Sequence, residues 1–120
     1  MVTFIITVTA QPGHDADVTR FYEEIEPMMK EVDGFVGRKL YRARTGTMVE
    51  AVKKAYTAEE LAAHPEPPHE DPGTQFIIIE EWESVDKRIA FGKANGNRNK
   101  DLIPHLLPSH THEFYEEFSA

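Results

Sequence analysis

The stretch Gln75-Phe76-Ile77-Ile78-Ile79-Glu80-Glu81-Trp82, continuing into Glu83-Ser84-Val85-Asp86, decides how this chain folds. Phe76 to Ile79 is continuously apolar, the pattern of a strand covered on both faces, and Ser84 before Val85-Asp86 is a helix start. A strand of this kind needs neighbours. Upstream, residues 2–10 alternate and are rich in Val, Ile, Phe and Thr, which predicts a strand with Val2, Phe4, Ile6 and Val8 on one face. Thr3, Ile5, Thr7 and Thr9 form its other face, and Gln11-Pro12-Gly13 is a turn. Residues 15–32 predict a helix: Val18, Phe21, Tyr22, Ile25, Met28, Met29 and Val32 recur at three- and four-residue spacing. Asp15 and Asp17 suit its N-terminal dipole. Pro27 should kink it, and Gly34 should cap its end. Residues 35–43 predict a second strand and 110–118 a fourth. The helix opened by Ser84 should break at Asn95-Gly96-Asn97, with a short helical piece at about 100–106.

The segment 47–73 stands apart. Met48, Val49, Ala51, Val52, Ala55 and Tyr56 share half of a helical wheel, and Thr57-Ala58-Glu59-Glu60 is a capping box that would start a new helix at Ala58. One or two short helices followed by a Pro-rich loop at 65–73 is the expectation, with a strand near 48–56 as the competitor.

Strand-helix-strand twice over is the ferredoxin-like split βαβ order. The fold class expected is therefore α+β: a four-stranded antiparallel sheet with helices on one face. The opposite face, with Ile5, Val36, Leu40, Ile77 and Ile79, is apolar enough to need a cover. A second copy of the chain is the economical one, giving an isologous homodimer.

Composition narrows the function. The 120 residues fit one domain, here 1–120 with an insertion at about 47–73. A net charge of −8 disfavours nucleic acid and anionic membranes. The one basic group, Lys87, Arg88, Lys93, Arg98 and Lys100, is interrupted by acids and glycines. No cysteine is present, so disulfides and thiolate chemistry are excluded. No run nears the roughly 18 apolar residues of a membrane span, and no signal peptide is visible. A cytoplasmic location is expected.

Val8-Thr9-Ala10-Gln11-Pro12-Gly13, Asp33-Gly34-Phe35 and Glu80-Glu81-Trp82-Glu83-Ser84 are spaced as in antibiotic biosynthesis monooxygenase domains, and the chain resembles that family over residues 2–43 and 74–118. The resemblance implies a dimeric α/β barrel with a pocket between sheet and helices. It implies cofactor-independent oxygenation of an aromatic or polyketide-like substrate that is itself the reductant. No Gly-x-Gly-x-x-Gly marks a flavin or nicotinamide site. The haem-degrading branch carries an Asn on the first strand and a His on the second helix; Ile6 and Phe91 stand at those positions, which disfavours haem.

Trp82 is the first catalytic candidate, with a plain core aromatic as the alternative. Glu80, two residues away on the same strand face, is the second: a carboxylate on the pocket side could have its pKa raised by burial and act as a base, with a solvated or Arg-paired Glu at the strand end as the alternative. His112 is the third. Phe4, Ile6, Tyr22, Ile78, Phe91, His110 and Phe114 are expected to contact substrate. His110 and His112 share a strand face, so a divalent metal on that pair, with His105 nearby, is an alternative. His14 is read as part of the turn before the first helix, and His64 and His69 as solvent-facing. A non-enzymatic ligand-binding homodimer of the same fold is the remaining alternative.

Overall fold

The structure, a computed structural model, describes residues 1–63 and 72–119. His64, His69 and most of the Pro-rich loop lie outside the described residues. The elements run β1 (Val2–Ala10), α1 (Asp15–Met29), β2 (Phe35–Arg42), α2 (Thr47–Ala55), α3 (Ala58–Ala63), β3 (Thr74–Trp82), α4 (Val85–Asn95), two 3-10 turns (Gly96–Asp101 and Ile103–His105) and β4 (Leu106–Tyr115). The sheet is antiparallel in the order β2-β3-β1-β4, the ferredoxin-like arrangement.

Alternation in β1 and β3 sets the layers. Val2, Phe4, Ile6 and Val8 pair across from Trp82, Glu80, Ile78 and Phe76. Directly opposed residues share a face, and this one meets Val18, Tyr22 and Met29 of α1 and Leu102 to make the core. Glu80 is buried within it. The molecule is only 21 Å thick along its short axis, the depth of one sheet and one helix layer. The other sheet face carries Ile5, Ile77 and Ile79, each half-buried, with Tyr41 exposed beside them.

Two register irregularities move residues from their expected places. β2 bulges between Phe35 and Gly37, so Leu40 pairs with Ile78 on the helix side rather than lying on the open face. β4 begins at Leu106, earlier than expected, and its register slips between the partners of Val8 and Ala10. Pro108 falls in that slip, where a missing N–H is tolerated. The first helix stops at Met29. Past Pro27, the Glu31 and Val32 amides bond the Met28 and Met29 carbonyls at 3.1 Å each, a tighter three-residue pattern. Gly34 (φ +88°) therefore lies in the turn into β2 rather than capping α1, and a Cβ there would strike the Lys87 side chain. Gly73 lies so close to the Ala10 carbonyl that no side chain fits.

In 47–63 the helical expectation prevails over the strand. The Thr57 hydroxyl accepts from the Glu60 amide at 3.1 Å, and Glu60 Oε1 accepts from the Thr57 amide at 3.0 Å, the reciprocal bonds of a capping box. Neither α2 nor α3 has a buried residue.

Candidate functional site

Between the sheet and α1 and α4 lies a cavity of about 420 Å³. Phe4, Ile6 and Val8 of β1 face it from the sheet, Phe21, Tyr22 and Ile25 from α1, and Phe91 from α4. Polar groups are set among these apolar walls, where they can orient a ligand: Tyr22, Glu80, Arg88, His110 and His112, with Asn95, Arg98 and Asn99 towards the 3-10 turns.

The polar anchor is a three-residue unit. Ser84 caps α4 by accepting from the Lys87 amide at 3.2 Å, which fixes the helix phase so that Arg88, Phe91 and Asn95 all line the cavity. Arg88 Nε donates to Glu80 Oε1 at 2.8 Å, and Trp82 Nε1 donates to the same oxygen at 2.9 Å. The guanidinium lies 4.3 Å from the centre of the Phe4 ring and 5.2 Å from that of Phe91. Gly92 leaves it room, since a Cβ there would come within 3.0 Å of Arg88 Nη1.

Trp82 is fully buried and is not among the cavity-lining residues. Its indole turns back to Glu80 and is packed by Phe35 and by Phe91, which does line the cavity. Ile78 lies in the core and Phe114 packs on Phe4 at 4.7 Å between centroids, and neither lines the cavity. Phe4, Ile6, Tyr22, Glu80, Phe91, His110 and His112 do line it.

Two groups at the cavity have altered proton affinity. Burial, then the Glu80 charge, pushes the Tyr22 phenol well up, so it is a hydrogen-bond donor at every physiological pH. Burial, then His110 and Arg88, lowers the His112 pKa, against an opposing pull from Glu80. The imidazole is then mainly neutral at pH 7 and free to accept a proton. His110 and His112 stack edge to face at 5.1 Å, and His110 Nδ1 lies 3.0 Å from the Pro108 carbonyl. Among the described residues the pair recruits no third ligand. The cluster with metal-ligand spacing is instead His14, Asp17 and His105.

Sequence reasoning placed Arg88 only in a scattered basic group. The signal available was Ser84, which sets the phase of Arg88 and Phe91. Arg38 was also missed: its Nη2 donates to the Tyr22 carbonyl at 2.9 Å and pairs with Glu26, tying α1 to edge strand β2.

No family model matches the sequence, and no curated protein matches it. Solved structures do. A protein described as an antibiotic biosynthesis monooxygenase from Bordetella bronchiseptica superposes with TM-score 0.65 at 16% identity, covering 98% of this chain and 97% of its own. Another so described, from Deinococcus radiodurans, gives 0.62 at 15% identity, over 100% and 95%. SnoaB, a cofactor-independent oxygenase from Streptomyces nogalater, gives 0.59 at 15% identity, over 99% and 94%. The chain has the fold of the antibiotic biosynthesis monooxygenases.

Proposed function

We propose that the protein is a cofactor-independent monooxygenase that oxidises an enolisable, phenolic aromatic substrate in the cavity between sheet and helices. The carrying observation is the cavity itself: apolar walls with a protonated phenol at Tyr22 and a neutral imidazole at His112 both at its surface. In this reading His112 takes the proton from the substrate and Tyr22 donates to the oxygen on which negative charge gathers. The resulting carbanion is the reductant. A CH₂ group becomes C=O while one O₂ becomes one H₂O, so no external electron donor is required. Glu80 holds Arg88 beside the ring-binding walls, and Trp82 positions Glu80. α2 and α3, which have no buried residue, stand outside the core, and the chain works as a homodimer with no nucleic-acid or membrane partner. Among the described residues no helix is long and apolar enough to cross a membrane.

Oxygen uptake with a panel of anthrone-like and polycyclic phenols is the test. A substrate should consume one O₂ per molecule oxidised. The acid limb of kcat/KM should lie below the ordinary His value of about 6.5, because activity needs neutral His112 and its pKa is lowered. His110→Gln removes one of the lowering charges and should move that limb to higher pH. A limb that stays put, or no uptake across the panel, counts against the mechanism and leaves the non-enzymatic ligand-binding dimer.

A further inference from the structure

We propose that His14, Asp17 and His105 form a binding site for a borderline divalent transition cation, zinc foremost, that clasps the start of α1 to the turn before β4. The same three atoms meet in every pair. His14 Nδ1 lies 2.9 Å from His105 Nδ1 and 3.2 Å from Asp17 Oδ2, and His105 Nδ1 lies 3.6 Å from Asp17 Oδ2. Ligands at ~2.0–2.1 Å from a tetrahedral zinc sit ~3.3 Å from one another, so this triangle is already close to one face of that tetrahedron. Two imidazoles and one carboxylate select zinc, cobalt or nickel over magnesium or calcium.

The local chain supports the geometry. His14 occupies the N-cap position of α1 yet makes no side-chain cap hydrogen bond; its ring is turned to Asp17 and His105. His14 and Asp17 are three apart and so meet on one side of the first turn. Their partner is 91 residues away in the chain and is held by Gln11, whose amide bonds the His105 carbonyl at 2.9 Å and whose own carbonyl accepts from the His14 amide at 2.9 Å. Gln11 Nε2 adds a bond to the Leu106 carbonyl at 3.1 Å. Arg20 approaches Asp17 through the other carboxylate oxygen, Oδ1, at 3.8 Å. The three side chains are about one-third exposed, at 37%, 33% and 31% for His14, Asp17 and His105, leaving a path for the ion and a fourth position for water. The positive end of α1 opposes a cation, but Asp15 and Asp17 place two carboxylates in that same turn. The site also bears on the cavity, because His105 lies between Ile103 and Leu106, both cavity-lining. A bound ion would fix that wall.

The test is calorimetric titration of zinc chloride into tag-free, chelator-treated protein, with cobalt as a spectroscopic probe. One zinc per chain should bind, the melting temperature should rise, and cobalt should show the strong visible bands of tetrahedral coordination. His105→Gln and Asp17→Asn, checked for folding by circular dichroism, should each weaken binding about a hundredfold or more; His14→Gln gives the same reading should one of them misfold. The His110→Gln/His112→Gln double variant should bind zinc like the wild type. Absence of saturable binding, affinity retained in His105→Gln and Asp17→Asn, or loss only in the double variant would overturn the assignment.

Discussion

Arg88→Ala should lower the stability of the protein by about 3–5 kcal/mol, because it strands the Glu80 carboxylate in the core without its cation. Both side chains are well buried, at 13% exposure for Arg88 and 4% for Glu80, so solvent does little to screen the loss. The guanidinium also covers Phe4 and Phe91, and that packing goes with it. Adding Glu80→Gln in the same chain should restore a large part of the stability, since the amide oxygen can still accept from Trp82 Nε1 and no charge remains to bury. Urea unfolding of the two variants reads this directly. A loss below about 1 kcal/mol for Arg88→Ala, the range of exposed pairs, would mean that the pair is effectively solvated.

Ile79→Lys should separate the proposed dimer. Ile79 lies on the open sheet face beside Ile5, its cross-strand partner on β1. An isologous interface would bury the new ammonium twice, once per copy. At about 3 kcal/mol for each unpaired charge, the dissociation constant rises roughly ten-thousand-fold. Light scattering should find wild type as a dimer at micromolar concentration and the variant as a folded monomer. A monomeric wild type, or a variant dimer as tight as the wild type, would mean that this face is not the interface.

What the sequence revealed follows the range over which each signal acts. Alternation in 2–10 and the apolar run of 76–79 gave the sheet faces directly, because a strand has a two-residue period and the opposed pairs Phe4–Glu80 and Ile6–Ile78 keep it. The Thr57–Glu60 box was equally legible, since both of its hydrogen bonds lie within four residues. Leu40 was assigned to the wrong face because a bulge inserts a residue without changing composition. Trp82 was expected on the pocket wall because strand parity gives a face but not a depth: at the strand end its ring meets Phe35 and Phe91 and its N–H turns to Glu80. The metal-like cluster was invisible for a different reason. Its members come from opposite ends of the chain: His105 neighbours His110 and His112 in sequence, and only the fold, with Gln11 bonded to the backbones of both His105 and His14, brings it to the start of α1.

In the proposed function the cavity takes a flat aromatic ligand, and Trp82, the only tryptophan, reports on it from behind the wall. Phe91 lies between the two environments: it lines the cavity and packs on the indole at 5.5 Å. Titration of a polycyclic phenol, corrected for inner-filter absorption, should quench the indole fluorescence saturably at one ligand per chain. Ile6→Phe, which fills the sheet side of the cavity beside its cross-strand partner His112, should weaken that binding while leaving the emission of the free protein unchanged. The account is contradicted if no ligand in a broad phenolic panel quenches saturably, or if Ile6→Phe binds as tightly as the wild type.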